Sequence, residues 1–152
     1  EQDGVQYYFT NDSRLEEFKK LGKLIEARAY HTVHGIWTYF TADDGQVDLS
    51  EGNYLGIGTL ESYQKLKQYY GEEHVIPVYI EVEDGERLQR ALLREREQEK
   101  PKYEEMCRRF LADQKDFSEE NLEEAGIVRR YYNDDKVQCL EKIIGEIQNG
   151  KF

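Results

Sequence analysis

Hydrophobic and polar positions change rhythm several times along the chain, and each change predicts an element. Val5 to Thr10 is rich in aromatic and β-forming residues and predicts a strand. Asn11-Asp12-Ser13 then offers a helix cap, and Leu15, Phe18 and Leu21 give a helical stripe that ends at Gly22. Leu24 to Tyr30 predicts a second strand. His31 to Thr41 predicts a turn and a further strand, with Trp37, Tyr39 and Phe40 supplying bulk. Short strands with tight connections point to a small antiparallel subdomain over residues 5–42.

The pattern then changes. Tyr54-Leu55-Gly56-Ile57 reads as a short apolar strand, and Thr59 can cap a helix from Leu60 to Tyr70. Val75 to Ile80 is apolar on both faces, as buried parallel strands are. Asp84 is placed to cap a helix running through Arg94. Strand, helix, strand, helix is the order of an α/β domain. Glu95 to Lys102 is charged and apolar-poor, either exposed helix or mobile loop. A helix from Tyr103 to Lys115 follows, then a short one capped by Ser118 and ended by Gly126. Ile127 to Tyr132 predicts a strand. Asn133-Asp134-Asp135 caps a last helix with Val137, Leu140, Ile143, Ile144 and Ile147 on one face.

Composition narrows the partners. The 152 residues fit one domain, and 38% apolar content is enough for a core. Charged residues make up 35% and the net charge is −11, which repels phosphate backbones at long range and disfavours nucleic acid. A small anionic substrate stays open, because a few arginines can reverse the potential locally. The apolar runs are too short for a membrane span and no secretory leader is visible. Cys107 and Cys139, far apart in sequence, read as reduced thiols of a cytoplasmic protein. The first residue is Glu1 and not methionine, so the sequence reads as a piece of a longer chain.

Three constellations carry candidate chemistry. Arg87, Arg90 and Arg94 lie three and four apart on one helix face, and Arg108 and Arg109 follow on the next helix. Guanidinium groups hold phosphate oxygens through paired donors, and such clamps neutralise charge as a phosphoryl group moves. The same spacing also fits solvated arginines paired with nearby glutamates. Glu26 sits inside the apolar run Leu24-Ile25-Glu26-Ala27, where a carboxylate can accept from the N1 and N2 hydrogens of guanine; a strand residue facing water is the alternative. Tyr7, Tyr8, Phe9, Tyr30, Trp37, Tyr39 and Phe40 could hold a nucleotide phosphate or stack on a base, although most such rings form core. His31 and His34 lack further ligands at metal-site spacing. Gly56-Ile57-Gly58-Thr59 lacks the lysine and spacing of a phosphate loop, and a tight strand-to-helix turn explains it.

Taken in order, these pieces resemble guanylate kinase. Glu1-Gln2-Asp3-Gly4-Val5-Gln6-Tyr7-Tyr8-Phe9 looks like the family's E-x-x-G-x-x-Y-x-F, which implies that Tyr7 holds the GMP phosphate. Leu24-Ile25-Glu26 is similar to F-[IL]-E, whose glutamate reads guanine. His34-Gly35-Ile36-Trp37-Thr38-Tyr39 is similar to G-x-Y-Y-G, which gives Tyr39 a phosphate contact. Arg90-Ala91-Leu92-Leu93-Arg94 matches the paired lid arginines that grip ATP phosphates. Arg108-Arg109-Phe110-Leu111-Ala112 looks like the [NK]-R-L-x-x-A helix, with Arg109 bridging donor and acceptor phosphates. Tyr132-Asn133-Asp134-Asp135 resembles the V-N-D-D turn beside adenine, and Asn133 is the matching residue.

The resemblance implies a single domain over 1–152. Its fold would be a P-loop kinase-like three-layer α/β arrangement whose parallel sheet misses its first strand. Residues 5–42 would bind the monophosphate, 53–93 and 127–148 would form the core, and 94–110 a helical lid. It implies transfer of the γ-phosphoryl of ATP to GMP or a related acceptor with Mg²⁺, small-molecule nucleotides as partners, and a homodimer left open. Two departures stand out. Leu55-Gly56-Ile57-Gly58 replaces the family's L-D-I-D, which leaves base preference open, with Thr59 as a substitute contact. The family's phosphate loop would lie upstream of Glu1, so the 152 residues alone are expected to be inactive. The alternative is a guanylate-kinase-like binding module that recognises a phosphorylated partner.

Overall fold

The computed structural model describes residues 2–5, 7–32 and 35–151, with the backbone alone at 31 and 32. The chain is mixed α/β and forms two compact units. One comprises the residues up to Gly58 together with Lys65–His74; the other comprises Thr59–Gln64 and the residues from Val75 onward.

The first unit begins with an isolated bridge between Asp3 and Tyr7, and residues 8–10 lie outside regular strand pairing. The strand expected over Val5 to Thr10 is therefore not formed at its described positions. The Asp3 carboxylate accepts from the Phe9 N–H at 2.6 Å, so a side chain takes a donor that a ladder would use. Helix α1 (Asp12–Lys20) starts as expected, with the Asn11 side chain accepting from the Arg14 N–H. Gly22, at φ 68°, turns the chain out of it.

Strands β1 (Leu24–Thr32) and β2 (Gly35–Ala42) then form an antiparallel ribbon. Glu26 stands opposite Thr41, Arg28 opposite Tyr39 and Tyr30 opposite Trp37. Directly opposed residues share a face, and side chains alternate along each strand. Glu26, Arg28, Tyr30, Trp37, Tyr39 and Thr41 therefore occupy one face of the ribbon. Helix α1 buries Leu15 and Phe18, Ile25 of β1 is also buried, and the Phe18 ring lies 6.0 Å from that of Phe40.

Helix α2 (Leu60–Tyr70) follows, with Thr59 Oγ1 accepting from the Ser62 N–H at 3.3 Å. In the second unit, β3 (Tyr79–Glu81) pairs in parallel with β4 (Arg130–Tyr132). Between them come α3 (Asp84–Arg96), α4 (Tyr103–Asp116) and α5 (Glu119–Glu124), and α6 (Lys136–Gln148) closes the chain. Ser118 and Asp135 cap α5 and α6, and Gly126 at φ 74° ends α5. Helix α3 is capped by Glu83, one residue before the expected Asp84. Leu60, Leu122, Ala125 and Ile127 make one buried cluster, flanked by Tyr63, Tyr79 and Phe117. Tyr131, Cys139 and Ile143 make another, with Val78 against it.

Four further expectations are corrected. Tyr54 to Ile57 is not a strand, and Leu55 and Ile57 stand almost fully in solvent. Of Val75 to Ile80 only Tyr79 and Ile80 enter a ladder, with Ile76 and Ile80 exposed; of Ile127 to Tyr132 only the last three residues do. An apolar run becomes a buried strand only where a neighbour supplies backbone partners, and here two runs share three rungs. Helix α6 is also rotated from its predicted aspect. Cys139 and Ile143, four apart, face inward, while Val137, Leu140, Ile144 and Ile147 are exposed, so the packed arc falls at one edge of the apolar stripe. Among the described residues no helix is long and apolar enough to cross a membrane.

Candidate functional site

Tyr7, Glu26 and Tyr39, three of the residues predicted to hold an acceptor, gather in the first unit. The Glu26 carboxylate accepts from Arg28 Nη2 at 2.9 Å on one oxygen and from Thr41 Oγ1 at 3.1 Å on the other. Its side chain is only 12% exposed and that of Arg28 26%. Charge-assisted hydrogen bonds at both oxygens fix the plane of a group that otherwise rotates easily. The Tyr39 ring lies edge-on to Tyr7, centroids 5.0 Å apart, and edge-on to Tyr30 at 5.7 Å. Tyr7, Glu26 and Tyr39 thus meet around one ribbon face.

A cavity of about 860 Å³ opens in this unit, with Tyr7, Phe18, Trp37, Tyr39 and Thr41 in its walls. That volume suits a ligand of nucleotide size. Glu26 is not itself in the wall; it reaches the wall through its hydrogen bond with Thr41. Arg14 also lines the cavity, with its guanidinium carbon 4.5 Å from the Phe18 ring centre and its Nη1 on Glu17. No motif marks Arg28 or Thr41. The spacing Glu26-x-Arg28 was the available signal, since period 2 sets both charges on one strand face.

The arginines predicted to hold phosphate, and Asn133, belong to the second unit. Arg90 Nε donates to Glu86 at 2.6 Å and its Nη2 to the Asn133 carbonyl at 3.0 Å. Arg90 and Asn133 are therefore brought together, where the Asn133 N–H extends the β3–β4 pairing to Glu81 O at 2.8 Å. The Asn133 carboxamide oxygen is buried with no hydrogen-bond partner among the described residues. Arg87 lies over the Phe110 ring at 4.4 Å, with Asp84 3.3 Å away but out of hydrogen-bond alignment. Gln114 Nε2 donates to Asp84, a second tie between α3 and α4. Arg94 lies exposed on α3. Arg109 and Arg108 both donate to Glu105 on their own helix, Arg109 at 2.8 Å, with Arg109 72% exposed.

Own-helix pairing is what solvated arginines adopt, and a phosphate would have to displace Glu86 and Glu105 to use these groups. Hydrogen bonds from Arg108 and then Arg109 pull the Glu105 carboxyl from 4.5 down to about 2. A depressed carboxylate contributes stability above its unfolded pKa and loses it as pH falls through the folded one. The contribution from Glu105 is therefore complete above pH 4.5 and fades towards pH 2. It is small, because the side chain is 38% exposed and screened. Circular dichroism between pH 5 and 2 should show a slightly larger loss of helix in the native chain than in Glu105→Gln. Superimposable profiles would remove the pair from any account of α4.

Thr59, assigned a base contact in place of the missing acids, lies in the second unit with its hydroxyl engaged at the α2 start, 3.2 Å from Ser62 Oγ. Gly56 and Gly58 lie in the exposed stretch before it. Cys107 is exposed and Cys139 buried, both as thiols. Glu1, Gln6, His34 and the His31 side chain, which carried parts of two motifs and the histidine pair, lie outside the described residues. Comparison of the chain with protein-family models, with curated proteins and with solved structures finds no match.

Proposed function

We propose that this chain carries the acceptor-holding side of a guanylate-kinase-like phosphotransferase, which passes the γ-phosphoryl of ATP to GMP or a related nucleoside monophosphate. One observation carries the proposal: a partly buried, doubly held carboxylate shares a ribbon face with Tyr39 and, through Tyr39, with Tyr7, beside an aromatic-walled cavity. Guanine offers N1–H and N2–H side by side, and an ionised carboxylate only accepts, so the two edges match. Adenine offers an acceptor and a donor there and does not match. Tyr7 and Tyr39 would hold the phosphate.

The parallel β3–β4 pair flanked by helices supports the P-loop kinase-like sheet as the finer fold. Arg90, Arg94 and Arg109 would hold the donor phosphates, and Asn133 would lie by the adenine. In this class of transfer, positioning and charge neutralisation supply most of the catalysis. Mg²⁺ would supply charge neutralisation at the donor phosphates, and none of the residues named here is assigned to it. The 152 residues contain no G-x-x-x-x-G-K-[ST] segment. Calorimetric titration tests the acceptor side directly. GMP should bind at least about tenfold tighter than AMP, as expected for a charged hydrogen bond gained against one lost. Equal affinities, or no binding of either, would end the proposal.

A second proposal draws on the arginines. Arg90 and Arg109 are each held by a glutamate four residues earlier, an arrangement with no need of ATP. It favours a catalytically silent module in which the same aromatic cavity takes a phosphorylated partner.

A further inference from the structure

We infer that Arg28 sets base selectivity in the first unit by fixing the plane of the Glu26 carboxylate; this rests on the proposal that Glu26 reads guanine. The β-strand period places Glu26 and Arg28 on the same face of β1, and a register shift between Leu24 and Glu26 brings Thr41 opposite Glu26. The guanidinium then donates to Oε2 at 2.9 Å and the threonine hydroxyl to Oε1 at 3.1 Å. Each donor takes a different oxygen, so together they stop rotation about the terminal torsion, which in a glutamate is broad and two-fold.

A carboxylate locked in one plane can meet two coplanar donors at once. A freely rotating one loses the second contact more readily than the first. The difference has a direct chemical reporter, because IMP keeps the N1–H of GMP and lacks its 2-amino group. Arg28 is thus a positioning residue whose effect falls on the 2-amino contact.

The test is calorimetric titration of the whole chain with GMP and with IMP, in the native form and as Arg28→Met, Arg28→Lys and Glu26→Gln. Methionine keeps the apolar stem and removes every donor; lysine keeps the charge without the planar fork. The native chain should prefer GMP over IMP by about tenfold or more, the worth of one hydrogen bond to a charged group. In Arg28→Met that preference should fall to within about threefold of unity with IMP affinity unchanged, and in Arg28→Lys it should lie between. A general loss of structure would weaken both nucleotides alike and leave the ratio intact. A native ratio retained in Arg28→Met, or in Arg28→Lys should methionine unfold the unit, overturns the role of Arg28. If Glu26→Gln collapses the ratio while the Arg28 variants keep it, only the Arg28 inference fails. If Glu26→Gln also keeps it, the guanine proposal itself fails.

Discussion

Tyr131→Ala is expected to cost the second unit about 3–5 kcal/mol, the range for removing a fully buried aromatic side chain. Tyr131 is 1% exposed at the centre of β4, with Cys139, Ile143 and Val78 packed against it. Its hydroxyl donates to Glu146 Oε2 at 2.6 Å, which ties the strand to α6. Burial, and then that carboxylate, push the phenol above its ordinary range, so it stays a neutral donor at working pH. Alanine removes the ring that α6 rests on and deletes this tie. Glu146 keeps Arg129 at 3.2 Å, so the carboxylate is not stranded, and the loss is mainly a cavity term. Tyr131→Phe separates the two parts: it keeps the ring and should cost only about 1–2 kcal/mol. The sole tryptophan, Trp37, belongs to the first unit, so its fluorescence is the wrong probe. Amide hydrogen exchange in α6 reads the second unit directly. Protection factors that drop by less than about tenfold in Tyr131→Ala would show that α6 does not depend on this ring.

Local signals were the legible part of the fold. Asn11, Ser118 and Asp135 each carry a short oxygen-bearing side chain that reaches a backbone N–H three residues on, and all three cap the helices they were expected to cap. Gly22 and Gly126 end helices because their positive φ is a conformation that other residues resist. Pairing was not legible. The run at Leu55 and Ile57 has strand composition and no strand, because composition specifies a surface and not the partner that completes it. Helix α6 shows the same limit: its apolar arc is wider than the surface that Tyr131 and Val78 offer, and only tertiary contact decides which part is covered.

The site divides along the same line. The motifs singled out Glu26 and Tyr39, and their common face follows from a register and a bulge that no local pattern encodes. Arg28 was hidden for a related reason. A lone arginine on a strand looks like a solvated charge until the alternation is followed back two residues to Glu26. The arginines of α3 and α4 are the converse case. Their spacing suits a phosphate clamp equally well as intrahelical pairs, and the pairs with Glu86 and Glu105 are what forms in the chain.

Glu26→Ala should weaken GMP binding by at least about a hundredfold and leave AMP binding within about twofold. Each hydrogen bond to a charged group is worth about 1.5–3 kcal/mol, two are lost, and about 1.4 kcal/mol is tenfold in affinity. The donors on guanine would also be left facing Arg28, a donor-only group, in a setting where unmade hydrogen bonds are costly. Stability should change far less than affinity, since Thr41 and Arg28 are both partly exposed and can turn to water. Glutamine is no rescue, because its amide presents one acceptor and one donor to a ligand edge made of two donors, so Glu26→Gln should fall near alanine on GMP. Aspartate keeps the charge and retreats by one methylene, out of reach of Thr41, and should recover only part of the loss. The order Glu, Asp, then Gln with Ala is specific to an accepting carboxylate, and a packing role would instead put Gln next to Glu. GMP affinity that is indifferent to Glu26→Ala would leave the carboxylate as a strand-face ion pair with Arg28 and nothing more.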